Sequence, residues 1–350
     1  MTNKMRRFAY ILIIIVTFVS CSRNDRQDFD KHFIDKTLRI NLVHSGNDTI
    51  ESFRLEKIYD DGLWYGRTKN LINPYRLGAY LYELRDVVTD ELMYSDVVTT
   101  LFSEWRGTDE ARKEKMSFNE SIRIPYPHND AKLTMYKIDS LDVAKPIWEY
   151  VIDDRAKALV EPAMNHNNRI VRLLDNGDPK DKVDIVILGE GYTSDEISAF
   201  DADALRFYNI FINTEPYKSR KSDFNIHAIQ VPPTSEGNSL RTSYGIFGHE
   251  RYALAYDEWA FRQYATQSPY DYAVILLNDD KQGGGSLYNV YSVAAIRSQS
   301  EDFVIRHEIG HQIVGAADKY FSNSNDTLDI SYYYDDFTDM INKVLDLHTR

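Results

Sequence analysis

The sequence predicts an α+β chain of two domains, an N-terminal β-sandwich followed by an α/β layered domain with a helix that carries His307-Glu308-Ile309-Gly310-His311. Three observations predict it. Short alternating apolar runs bounded by turn residues occupy residues 37–150. Over residues 165–350 the pattern changes to continuous apolar strand runs separated by amphipathic helical stretches. Two histidines four residues apart sit between a helix start signal and a helix stop signal.

The composition sets the bounds. The chain has 350 residues, 43% hydrophobic and 27% charged, enough for about two domains with real cores. Its formal charge is 41 − 54 = −13. So acidic a chain is a poor binder of phosphate backbones, and no nucleic-acid partner is expected. It has one cysteine, Cys21, so no intramolecular disulfide supports the cores.

The first residues read as a targeting segment. Lys4, Arg6 and Arg7 precede an apolar run from Phe8 to Val19, shorter than the ~20 residues a membrane-spanning helix needs. The run ends Phe18-Val19-Ser20-Cys21. This resembles a bacterial lipoprotein signal, with Phe18 where leucine is usual. The resemblance implies a signal at residues 1–21, cleavage before Cys21, and lipid on its thiol and new amino terminus. The alternative is an uncleaved anchor. Either way the protein is exported, and lipid on Cys21 would hold it to a bacterial membrane, at the outer membrane or cell surface. Residues 22–36 are polar and read as a tether.

From Thr37 onward, Leu38, Ile40 and Leu42 alternate with polar neighbours, and Ser45-Gly46-Asn47 supplies a turn. Tyr80 to Leu84 and Leu92 to Val98 flank a turn at Asp86–Asp90, a hairpin. Ile122 and Ile124 precede Pro125 and Pro127, and Leu133, Met135 and Ile138 form another short strand. No cluster of catalytic residue types appears here, so the expected role is structural or substrate-positioning. After a polar loop at Asp175–Asp181, Val183 to Leu188 reads as a buried strand. Ser194, Ile197, Phe200, Ala204, Phe207 and Phe211 then mark an amphipathic helix. Phe224–Val231 and Tyr272–Leu277 read as strands and Tyr252–Ala265 as a helix. Leu287–Ile296 is strand-like. Gly283-Gly284-Gly285 before it is either an edge strand able to hold a peptide by β-augmentation or a flexible loop.

The chemistry is concentrated in the next helix. Ser298-Gln299-Ser300-Glu301 has the form of a capping box, and Gly315 suits a left-handed C-terminal cap. Positions four apart share a helix face, so His307 and His311 can hold one zinc ion. Glu308 is rotated by about 100° from His307, beside the metal rather than on it, where a carboxylate serves as general base. Ile305, Ile309 and Ile313 form a row that should pack on the sheet, with Phe303 and Val314 near the histidines. A catalytic zinc site takes three protein ligands, and Asp318, just past Gly315, is the candidate third. The other reading makes Asp318 an acceptor that orients a histidine. His249-Glu250 lacks a second histidine four residues on and reads as structural; Asp279-Asp280 reads as a solvated loop. Tyr320 or one of Tyr332–Tyr334 is either an oxyanion donor or an aromatic packing residue.

His307-Glu308-Ile309-Gly310-His311 followed by Gly315-Ala316-Ala317-Asp318-Lys319-Tyr320 resembles the IgA-specific metalloendopeptidase family. So do Asp184-Ile185-Val186-Ile187-Leu188-Gly189-Glu190-Gly191-Tyr192-Thr193, Thr214-Glu215-Pro216-Tyr217, Phe247-Gly248-His249-Glu250-Arg251-Tyr252 and Gly283-Gly284-Gly285. Leu101-Phe102-Ser103-Glu104-Trp105 and Phe118-Asn119-Glu120-Ser121 resemble the β-rich domain that precedes such peptidases. The resemblance implies a zinc-dependent endopeptidase acting on a polypeptide substrate, with His307, His311 and Asp318 as ligands and Glu308 as base. Lys319 stands where the family has glutamate, and the sequence ends soon after the tyrosine. These departures motivate the alternative of a non-enzymatic surface-binding lipoprotein with a degenerate, C-terminally incomplete peptidase domain.

Overall fold

The computed structural model describes residues 25–139, 141–164, 167–235, 237–315 and 330–349. The chain starts with helix α1 (Asp25–His32) and runs directly into the long strand β1 (Phe33–Gly46). Residues 25–36 therefore fold, where a tether was expected. Phe29 and Phe33 are the reason: both rings are buried and pack against each other. Strand β2 (Glu51–Asp60) returns antiparallel to β1 after a turn in which the Asn47 side chain accepts the N–H groups of Thr49 and Ile50. The expected hairpin forms from β3 (Tyr80–Asp86) and β4 (Leu92–Val98), with Asp86 Oδ1 accepting from the N–H groups of Val88 and Thr89. Helix α2 (Leu101–Trp105) is held by a Thr100/Ser103 capping box. Strands β5 (Met116–Pro127), β6 (Ala131–Ile138) and β7 (Ala144–Ile152), the single turn α3 (Asp154–Lys157) and the short β8 (Glu161–Pro162) complete this half.

These strands form two four-stranded sheets, β5-β1-β2-β8 and β4-β3-β6-β7. Leu38, Ile40 and Leu42 of β1, Ile122 and Ile124 of β5, and Leu84, Leu133 and Met135 of the second sheet join one apolar cluster. The polar neighbours on β1 do not face water as alternation would suggest: Arg39 and Asn41 are buried as well. Arg39 is covered from within this half, where its Nε donates to Asp61 at 3.0 Å and its guanidinium lies over the Tyr59 ring, while Ser121, the β5 partner of Asn41, meets Glu258 and Arg262 of the other half.

That half is built on a six-stranded sheet. Strand β9 (Ile170–Leu174) was not foreseen; it is short and partly exposed. Strand β10 (Val183–Glu190), helix α4 (Ile197–Ile212) and strand β11 (Phe224–Gln230) follow as expected. Strands β12 (Thr242–Tyr244) and β13 (Ala253–Ala255) make a small antiparallel pair, so the helix expected over 252–265 shortens to α5 (Glu258–Ala265). Asp257 sets its start by capping the Ala260 N–H at 3.0 Å. After β14 (Tyr272–Leu277), the run expected as one strand before the histidine-bearing helix is a hairpin, β15 (Gly284–Leu287) and β16 (Tyr291–Ala295). The chain reverses at Asn289, which takes a left-handed φ of 58°. Helices α6 (Glu301–Val314) and α7 (Ile330–Thr349) close the fold.

The sheet order is β15-β16-β14-β10-β11-β9. Strands β16, β14, β10 and β11 run parallel, and β15 and β9 are antiparallel edges. Side chains alternate across it. Ile185 and Ile187 face α4, α6 and α7; Val186 and Leu188 face α5 and the N-terminal sheets. The apolar core on the second side is thus continuous with that of the N-terminal half. Polar contacts tie the same seam. Glu258 accepts from the Ser121 N–H at 2.9 Å and its hydroxyl at 2.6 Å, Trp259 Nε1 donates to the Glu120 carbonyl at 2.9 Å, and Arg123 donates to the Tyr270 carbonyl at 3.0 Å. Burial pushes the Glu258 carboxyl up to about 7, against the pull of neighbouring Arg262.

Candidate metal centre on helix α6

Helix α6 places its residues by simple periodicity. Ile305, Ile309 and Ile313 are buried in the core shared with α4, as their spacing predicts. The predicted capping box does not form. The helix starts two residues later than that box requires, with Ser300 as an N-cap that makes no side-chain cap bond, and the Glu301 carboxylate accepts from Arg206 at 3.1 Å. The stop signal works as expected: Gly315 adopts φ 59°, ψ 31°, and its N–H donates to the His311 carbonyl at 2.9 Å. A Cβ there would also lie 2.6 Å from the Leu77 carbonyl oxygen, so glycine is required twice over.

Two polar residues unforeseen in the sequence fix the helix to the sheet. Gln312 is buried; its Nε2 donates to the Ala273 carbonyl at 2.8 Å and its Oε1 accepts from Ser292 Oγ at 3.1 Å. Ser286 Oγ on β15 donates to the Glu308 carbonyl at 2.6 Å. A polar side chain flanked by Ile309, Ile313 and Val314 was the available signal for Gln312. Glu308 itself is mostly buried against β15. A Cβ on Gly284 would come within 2.9 Å of Glu308 Cγ and 2.7 Å of Val304 Cγ1. The glycines thus allow close packing of helix on strand and do not form a flexible loop. The β15 edge is covered at this point: the Gly284 N–H donates to the Arg251 carbonyl at 3.1 Å, and Tyr252 bridges to Gly284. A peptide therefore has no free edge to extend at Gly284.

His307 and His311 point the same way. Their Nε2 atoms lie 3.0 Å apart and their rings are perpendicular, with centroids 4.3 Å apart. Two imidazole lone pairs approach so closely only around a shared proton or cation. Two nitrogens on one tetrahedral zinc, each at about 2.0–2.1 Å, would be separated by roughly 3.3 Å, so the pair fits a zinc ion with little adjustment. The exposed Phe303 ring stacks on His307 at 5.4 Å, nearly parallel, and screens one face of the imidazole. Among the described residues no group of three His, Cys, Asp or Glu side chains is arranged to hold a metal. The expected third ligand, Asp318, lies outside the described residues, as do Lys319 and Tyr320. The side chains of Tyr332–Tyr334 are likewise outside them. Met340 packs on the apolar core.

The Gly189-Glu190-Gly191 stretch ends the central strand β10. Burial raises the Glu190 carboxyl above the ordinary glutamate range, and its Oε1 accepts from the Leu240 N–H at 2.5 Å. It organises the loop after β11.

Residues 28–149 match the family model described as Peptidase M64 N-terminus, and residues 171–335, which include all of α6, match the one described as IgA Peptidase M64. No curated protein matches the chain.

Proposed function

Since the chain belongs to the IgA peptidase M64 family, a family of metallopeptidases, we propose that it is a zinc-dependent endopeptidase acting on extracellular polypeptides. The observation that carries this reading is the convergence of His307 and His311 Nε2 to 3.0 Å on a buried, sheet-anchored helix. In this reading His307 and His311 hold the ion, with Asp318 as third ligand. Bound there, zinc supplies a Lewis acid that acidifies water and polarises a peptide carbonyl. Glu308, one residue on from His307, takes the proton from the attacking water and passes it to the leaving amine. Its packing against Gly284 restricts the rotamers of its stem.

The variants that test this separate metal from chemistry. Glu308→Gln should keep near-stoichiometric zinc and lose about 10²–10⁴-fold in cleavage. His307→Ala and His311→Ala should lose both together. Asp318→Ala should weaken zinc affinity by about tenfold or more. Wild-type turnover in Glu308→Gln would remove Glu308 as base. Stoichiometric zinc without cleavage of any peptide in a broad library would favour the non-enzymatic binding lipoprotein instead.

A further inference from the structure

Away from α6, a cavity of about 720 Å³ lies between the loop after α2 and the segment joining β12 to α5. The N-terminal half supplies the carboxylates of Glu104, Asp109 and Glu110; the C-terminal half supplies the rings of Phe247, Tyr252 and Tyr256. No lysine or arginine is among its lining residues, and the one lining group able to carry a positive charge is the His249 imidazole. Asp109 pairs with Arg112 at the exposed rim, and Glu110 accepts from Trp105 Nε1 at 2.9 Å. A cavity with aromatic walls and several carboxylates suits a cation bearing an apolar stem. The stem lies along the rings, and the charge meets both the carboxylates and the ring faces.

Its position relative to α6 follows from a short chain of contacts. Helix α2 is fixed by the buried Phe102 and Trp105 and by the Phe102 N–H donating to Glu120 Oε1 at 2.9 Å. From it, Glu104 Oε2 reaches the Tyr252 hydroxyl at 3.5 Å. Tyr252 is bridged to Gly284, and Gly284 is the residue against which Glu308 packs. The cavity wall at Tyr252 is therefore linked to Glu308 through Gly284, and neither half of the chain forms the cavity alone.

We propose that this cavity is a specificity pocket that takes a lysine or arginine side chain of the polypeptide substrate. The proposal rests on the peptidase reading for its consequence in catalysis, though not for binding. It gives the N-terminal half a direct part in substrate selection. At 720 Å³ the cavity has room for the cationic side chain and part of its neighbours.

The test uses the full-length chain in detergent and fluorescent peptide pairs identical except for lysine or norleucine at one position, scanned along the peptide. Anisotropy should show one position at which lysine binds about tenfold tighter or more. The preference should fall in Glu104→Gln and in Glu110→Gln, and in the wild type as salt rises from about 50 to about 500 mM. Where cleavage is measurable, the same substitutions should raise KM for the lysine peptide and leave kcat nearly unchanged. No binding preference for lysine at any position would overturn the proposal, as would a preference that survives both substitutions in folded protein and is insensitive to salt. A lysine preference in binding without any cleavage would uphold the pocket and refute the peptidase reading.

Discussion

At the scale of single residues, the local code was most legible where spacing alone decides geometry. Positions 307 and 311 had to share a helix face, and their imidazoles do converge. Gly315 had to end the helix, and it does so in the left-handed region. Buried ionisable groups were illegible, because their neighbours come from distant segments. Asp184 is the clearest case. Its Oδ1 accepts from Asn225 Nδ2 at 2.9 Å, while the adjacent Asp271 accepts from the Asp184 N–H at 2.8 Å. Burial, then the charge of Asp271, pushes the Asp184 carboxyl up to about 8. The folded protein then holds a proton that the unfolded chain, with an ordinary aspartate near 3.9, has released. Stability should therefore fall as pH rises from about 4 to about 8, since the folded state binds more protons in that window. Asp184→Asn should flatten that decline by at least about 1 kcal/mol, leaving the parts contributed in the same direction by Glu258, Glu190 and Asp61. Urea denaturation at several pH values reads this out, and parallel pH profiles for the two proteins would contradict it.

Elements show both what periodicity reveals and where it stops. Strands β10, β11 and β14 and helix α4 were plain, because each is an uninterrupted apolar or 3.6-periodic run. Helix α7 was missed although Ile341, Val344, Leu345 and His348 carry helical spacing. The start of α5 was misplaced because Ala253–Ala255 has no strong strand character of its own and is a strand only by pairing with Thr242–Tyr244. The glycine run at 283–285 left strand and loop equally open. The reason for its composition is tertiary: α6 covers Gly284 on one face, and the Tyr252 ring and Ala253 carbonyl crowd Gly285 from another direction. Gly284→Ala should then cost about 1–3 kcal/mol by overpacking and displace Glu308. The expected result is a lower Tm and reduced cleavage with zinc binding retained, because both histidines are intact. A variant with wild-type Tm and turnover would show that α6 and β15 are less tightly packed than their geometry implies.

For the whole molecule, the class of fold was readable and the relation between its halves was not. The β-rich start and the α/β remainder follow from their different periodicities. That Ser121 would be buried against α5, and Arg39 against Asp61, does not, since the polar positions of a strand look the same whether they meet water or a second layer. The shared core and the polar seam make the N-terminal half part of the framework behind α6. At the opposite extreme, Cys21 and the stretch that reads as a targeting signal lie outside the described residues. If lipid on Cys21 anchors the protein, Cys21→Ser should shift it from the membrane to the soluble fraction or leave it unprocessed. Unchanged fractionation, with no acyl label on the wild type, would count against the anchor. The central claim, that a metal held by His307 and His311 drives peptide hydrolysis, is tested most directly on the wild-type protein by chelation and re-addition. Purified protein should carry about one zinc per chain, lose peptide-library cleavage with the metal, and regain it when zinc is restored. Cleavage that persists after the zinc has been removed would contradict the claim.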